Sequence, residues 1–277
     1  MRFVDQSFAK RLEMVSAISG RECAQAVNSF APEVAAATED IAGGIVAFTG
    51  ADSPVTQAFG FGLNGPVAEA ELDRLEHFFF SRGAPVTLEL CPFIDQSLVA
   101  LLQKRPYRLE EFSNVLVRDI GAGETFAPPA SPVTVRAAEA NEAKLFMRVV
   151  TGGFAEQTPV TQSLQGVVEG FFYRARGQCF FGLVDGEMAG AGAAAVHDGL
   201  AELYGATTLP QFRNRGVQKA LIAQRLAWAA QHGCEIATTT TGPGTSSQRN
   251  YERAGFQIVY SRTKLVRSRE TQEMETS

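Results

Sequence analysis

Apolar and polar positions alternate along this chain in two different periods, and the switches between them divide it into short strands and amphipathic helices. The stretch 7-SFAKRLEMVSAISGRECAQAV-27 spaces its apolar side chains as a helix does, with Gly20 as a candidate break. Strands are read at 44–50 and 55–62. A helix follows over 66–83, with Pro66 at its first position and Gly83 at its stop. A strand at 85–91, a short helix at 94–104 and a strand at 108–120 close the first half. The second half reads as helices near 139–151 and 159–174, then a hairpin with strands 179–186 and 188–199. A strand at 200–209 leads into a helix that ends at His232-Gly233. A strand at 234–241, a helix at 244–254 and a strand at 256–267 complete the pattern.

The order of elements nearly repeats, which suggests an internal duplication. Gly83 aligns with Gly233 at an offset of 150; with one residue removed, Pro106-Tyr107 falls on Gly255-Phe256 and Leu116-Val117-Arg118 on Leu265-Val266-Arg267. Between the halves, 121-GAGETFAPPASPVT-134 is poor in large apolar residues and has the composition of a linker. The expected organisation is a first domain over 1–120, a linker over 121–133, a second domain over 134–267 and a polar, disordered tail over 268–277.

Composition narrows the function classes. The chain has 277 residues, 45% of them apolar, enough for a sizeable core. A pI near 5.4 argues against general nucleic-acid binding. Cys23, Cys91, Cys179 and Cys234 are widely spaced and read as free thiols of a cytoplasmic protein. His77, His197 and His232 lack metal-ligand spacing, so no metal is expected. The charged N-terminus does not read as a signal peptide, and no apolar run approaches membrane-span length.

Against the net charge of -5, one stretch gathers cations: Arg213, Arg215 and Lys219 surround Gly216 at the start of a helix. The first N–H groups of a helix have no intrahelical partner and sit at the positive end of its dipole. A strand that turns into a helix through a glycine therefore makes an anion cradle. Along 217–231, Gln218, Lys219, Gln224, Arg225 and Gln231 fall on polar positions, leaving Val217, Leu221, Ile222, Leu226 and Ala229 to pack on a sheet.

This loop, Arg213-Asn214-Arg215-Gly216-Val217-Gln218, resembles the Q/R-x-x-G-x-G/A loop of the GNAT superfamily of N-acetyltransferases; Gln218 departs from the final Gly/Ala. The stretch 251-YERAGF-256 resembles the same family's tyrosine followed four residues later by Gly-Phe, and 206-ATTLPQFRNRG-216 its strand, bulge and proline. The resemblance covers about residues 133–267. It implies an α+β fold of two GNAT-like subdomains in tandem, each a central, mostly antiparallel sheet flanked by helices. Mycothiol synthases are one tandem group with this layout.

The resemblance further implies acetyl-CoA as co-substrate, with its diphosphate on the amides from Arg215 to Ala220 and its pantetheine arm beside Thr207, Thr208 and Leu209. Arg213, Asn214, Ser247 and Asn250 are further candidates for holding it. Tyr251 matches the family's general acid, a backbone N–H near Leu209 its oxyanion donor, and Glu202, eleven residues before Arg213, its catalytic glutamate. A solvated strand carboxylate is an equal reading of Glu202, and no ping-pong cysteine is needed. The segment 151–162 is expected to border the acceptor site, with Phe154 and Phe171 as candidate walls or core residues.

In the first half the cradle position reads Asn64-Gly65-Pro66 and the tyrosine position Leu102, as in a half that has lost its site and shapes the acceptor cleft of the other. The match 60-GFGLNG-65 to a dinucleotide loop is weak, because its strand is polar and too few strand–helix units follow. The expected function is acetyl transfer to a small-molecule amine by direct attack in a ternary complex. The alternative is a non-catalytic acetyl-CoA-binding sensor or assembly protein. No nucleic acid or membrane partner is expected, and a homodimer is left open.

Overall fold

The computed structural model describes residues 3–126, 132–156 and 159–268. It divides into two compact units: the residues up to Asn114 together with those from Val259 onward, and Val115–Ile258. The division differs from the linear boundary expected near 121–133. Two long strands, β5 (Arg108–Asp119) and β11 (Gln257–Arg267), begin in one unit and end in the other. Residues 127–131 of the expected linker and 269–277 of the expected tail lie outside the described residues.

Unit 1 opens with α1 (Gln6–Phe30), capped by Asp5, whose carboxylate accepts from Phe8 N–H at 2.8 Å. Gly20 does not break it. A Cβ at Gly20 would meet the Phe59 ring at 2.6 Å, so the glycine is where α1 lies close against the sheet. That sheet runs β1 (Ala37–Ile41), β2 (Gly44–Phe48), β3 (Gln57–Phe59), β4 (Val86–Leu90), then the later part of β11. β3 and β4 are parallel, meeting at Ala58 and Leu88, whereas β4 and β11 are antiparallel from Thr263↔Leu90 to Arg267↔Val86. The helix α2 (Glu69–Phe80) starts three residues beyond Pro66, which is therefore not its first position. Glu71 reaches back to Ala68 N–H at 2.8 Å instead. A shorter helix, α3 (Gln96–Leu102), follows.

Buried charge fixes β11 in unit 1. Arg262 donates to Glu13 at 2.8 Å and to Glu89 at 3.1 Å, and the Tyr260 hydroxyl bonds Glu13 at 2.7 Å. Arg267 and Arg105 both donate to Glu76, at 2.7 and 2.6 Å. Removing Arg262 would leave Glu13 buried without its cation, at a cost of about 3–5 kcal/mol.

Unit 2 carries the strand order β6 (Val133–Ala137), β7 (Gly177–Val184), β8 (Glu187–His197), β9 (Leu200–Thr208), β10 (Ile236–Thr241), then residues from Val115 onward of β5. Helices α4 (Ala143–Phe154), α5 (Gln162–Phe172), α6 (Val217–Gln231) and α7 (Ser246–Arg253) complete it. α4 and α5 pack Phe146, Val150 and Val168 on Phe181 and Ala191; α6 packs Ile222 and Leu226 on Ala201 and Leu203. Arg225, expected on the polar side of α6, is fully buried. Its Nε donates to Leu221 O at 3.0 Å and Nη1 to Ala193 O at 3.3 Å.

β9 and β10 run parallel, paired only from Leu200↔Ile236 to Glu202↔Thr238. β9 continues to Thr208 without β10, so one edge of its later half is open. On its other edge, β9 pairs with β8 through a bulge that sets Gly205 and Ala206 out of register.

Candidate functional site

The open edge of β9 leads straight into a helix mouth. Leu209-Pro210-Gln211-Phe212 makes a short 3-10 turn, Asn214 and Gly216 take positive φ of 62° and 86°, and α6 begins at Val217. Gly216 is the N-cap, and only a residue without a Cβ adopts this left-handed geometry at no steric cost. A glycine cap has no side chain to offer the helix, so no side-chain hydrogen bond caps α6. The N–H groups of Val217, Gln218 and Lys219 thus lack an intrahelical acceptor. Ala220 N–H is bonded to Gly216 O at 3.0 Å, so the amide row expected to run to Ala220 stops at Lys219.

These amides face a cavity of ≈ 430 Å³ within unit 2. β9 lines it with Ala206, Thr207 and Thr208; α4 with Gly153 and Phe154; α7 with Ser246, Ser247, Arg249, Asn250 and Arg253. α4 reaches this wall only because of its glycines: a Cβ at Gly153 would lie 1.8 Å from Thr207 Oγ1. Four cations line the cavity, Arg213, Lys219, Arg249 and Arg253, and no carboxylate does. Arg213 leans on Glu156 at 2.6 Å and Arg215 on Asp185 at 3.0 Å, both exposed pairs and therefore weak. Arg215 does not line the cavity. Gln218 does, and its Oε1 is buried without a hydrogen-bond partner.

The pantetheine contacts expected of β9 need one correction. Leu209 N–H is already bonded to Ala189 O at 2.9 Å and is not available to a ligand or to an oxyanion. Strand alternation turns the N–H and C=O of Thr208 to the opposite, open edge. Tyr251 follows the cavity-lining Ser247 by one helical turn of α7 and is not itself among the lining residues. It is buried, edge-on to Phe256 with ring centroids 5.1 Å apart, and packs with Leu203 and Ile222.

Glu202 is not left open toward the cavity. Arg174 Nη1 donates to its carboxylate at 3.2 Å, and the Arg174 guanidinium stacks 4.3 Å from the Tyr204 ring. Arg174 Nη2 lies 3.1 Å from His197 Nε2; since arginine only donates, this nitrogen of His197 is the acceptor. Phe154 lines the cavity, whereas Phe171 packs edge-on to Tyr204 at 5.1 Å. Burial pushes the Cys179 thiol well up and raises Cys234 to about 11, so both stay protonated at neutral pH.

Sequence reasoning missed Arg249, Arg253 and Ser246, although their three- and four-residue spacing with Asn250 marks one helix face. In unit 1 the corresponding helix mouth is filled by its own side chains. Glu71 takes Ala68 N–H, Ser97 Oγ takes Val67 N–H at 2.8 Å, and Glu69 and Glu71 make it acidic.

An uncapped helix mouth beside a bulged strand, in an α+β fold, is an arrangement that suits an anion. Residues 150–256 match the model of the acetyltransferase (GNAT) family. That matched segment lies within unit 2. Two solved structures share the fold. A GCN5-related N-acetyltransferase from Kribbella flavida is 17% identical, with a TM-score of 0.62 over 88% of this chain and 95% of that one. A tandem GNAT protein from the clavulanic acid biosynthesis pathway is 13% identical, with a TM-score of 0.56 over 81% and 78%. The aminoglycoside N(6')-acetyltransferase type 1 of Salmonella typhimurium is 43% identical over 56 residues, which are 20% of this chain. The match spans 39% of that relative's length. Among the described residues, no helix is long and apolar enough to cross a membrane.

Proposed function

We propose that the protein is an acetyl-CoA-dependent N-acetyltransferase that passes the acetyl group directly to the amine of a small-molecule acceptor, both substrates being held at once. One observation carries this reading: three uncapped amides, Val217 to Lys219, open on a cavity lined by four cations and no carboxylate. That chemistry suits the diphosphate of coenzyme A. The family match supports acetyl transfer, and the curated relatives are named for N-acetylation of aminoglycosides, which are amines.

Acetyl-CoA supplies the thioester, and the protein's own groups do the rest. The open edge of β9 at Thr208 aligns the pantetheine arm. The backbone of Gly205 and Ala206, freed from the β8 register, is positioned to donate to the carbonyl oxygen as it gains charge. Tyr251 is the proton donor to the departing thiolate; its hydroxyl has no hydrogen-bond partner among the described residues. Because Arg174 occupies the Glu202 carboxylate, we assign Glu202 to holding Arg174 and the amine's proton to solvent. The buried, protonated cysteines support direct attack over a covalent acyl-cysteine route.

The test is Tyr251→Phe, followed by CoA release over a panel of amines and by calorimetry with CoA. Turnover should fall by about 10²–10⁴ while CoA affinity holds. Unchanged turnover would remove Tyr251 from the reaction. A wild-type protein that binds CoA yet releases none from acetyl-CoA with any amine would leave the sensor reading standing.

A further inference from the structure

The cations of the cavity fall on two separate elements. Arg213 and Lys219 flank the helix mouth of α6, where the free amides already suit a diphosphate. Arg249 and Arg253 belong to α7, four residues from each other. Side chains at this spacing lie one above the other on a helix surface, and like charges there repel and weaken the helix. Neither arginine meets a carboxylate among the described residues. The acid of the same helix, Glu252, is bound by Gln248 at 2.8 Å instead. Ser246 and Asn250 share their face and add polar groups between and beside them. Two guanidinium forks over a polar helix face are the arrangement that recognises a compact, doubly charged oxyanion.

We propose that Arg249 and Arg253 form a second subsite, for a phosphate monoester, so that this site selects 3′-phosphorylated coenzyme A over its dephospho form. The inference rests on the acetyl-CoA reading of the cavity. It adds to that reading a specificity that the α6 mouth cannot provide, since both forms of the coenzyme carry the same diphosphate. A monoester close to two negative charges at neutral pH also offsets the repulsion within the Arg249–Arg253 pair.

The experiment is titration calorimetry of the full chain with CoA and with dephospho-CoA. The proteins compared are wild type, Arg249→Gln, Arg253→Gln, the double variant and Arg213→Gln. Wild type should bind CoA about tenfold or more tightly than dephospho-CoA, the size of one charge-assisted hydrogen bond. The double variant should lose this preference. Arg213→Gln, at the diphosphate, should weaken both ligands by the same factor. Equal wild-type affinity for the two ligands overturns the subsite, and that comparison depends on no variant folding. A double variant that keeps the preference also overturns it. Heat from neither ligand would instead sink the acetyl-CoA reading itself.

Discussion

Arg225 carries its charge into the interior of unit 2, where backbone carbonyls of Leu221 and Ala193 receive it. Helical periodicity put it on the polar face because periodicity sorts side chains by type. The space that admits it is made by Gly192, where a Cβ would come within 3.2 Å of the guanidinium carbon, and that neighbour is distant in sequence. Amide assignments failed for the same kind of reason: Ala220 and Leu209 have N–H groups consumed by acceptors that only the folded chain defines. Gly216 was legible because its role is local, a left-handed cap between a strand and a helix. At this scale one pair sets a pH response. Arg136 grips both Glu142 oxygens at 2.7 Å, and Glu139 N–H adds a third bond, holding the Glu142 carboxyl down at about 2. A depressed carboxyl stabilises the fold above its unfolded value and loses that contribution as pH falls through the folded one. Denaturant titrations of wild type should therefore show stability declining between about pH 4.5 and 2, and Glu142→Gln should flatten that decline.

Helices and central strands were largely readable, edge strands were not. β1 (Ala-Thr-Glu-Asp-Ile) and β6 (Val-Thr-Val-Arg-Ala) went unread because each closes one side of its unit's sheet, is short, and keeps half its side chains near solvent. The start of α2 was misplaced for a different reason: Glu71 caps it through Ala68, which leaves Pro66 in the approach to the helix. Gly20 lies mid-helix, where glycine costs about 1 kcal/mol against alanine, yet α1 runs through it because the Phe59 ring occupies the space a side chain would need. Gly153 plays the matching part in α4, at the wall of the cavity. Gly153→Ala adds helix propensity but drives a methyl into Thr207. Thermal melts should show a net destabilisation of about 1–3 kcal/mol, and CoA affinity should fall as α4 is pushed from β9. A variant more stable than wild type would show that the contact yields freely.

The two units were visible as a repeat of element order, but their boundaries were not. A linear reading assigns each half its own strands, whereas Val115–Asp119 belong to unit 2 and the later part of β11 to unit 1. In unit 2 the exchange is held by Thr238 Oγ1, which donates to Leu116 O at 3.2 Å, and by Ile120 N–H bonded to Glu235 O at 2.8 Å. A fragment cut in the 121–133 segment therefore begins without the strand that flanks β10 and exposes Leu203 and Ile222, which pack with Leu116. Such a fragment should be poorly soluble and melt without a cooperative transition, whereas one beginning before Arg108 should fare better. Circular dichroism and solubility of the two decide it, and a cooperative, soluble short fragment would refute the exchange as a requirement.

β11 also imposes an order on synthesis. Glu13 emerges early from the ribosome, yet Arg262, the cation that pairs with it in the interior of unit 1, is translated only after the whole of unit 2. The first unit to be begun is thus the last to receive all of its strands.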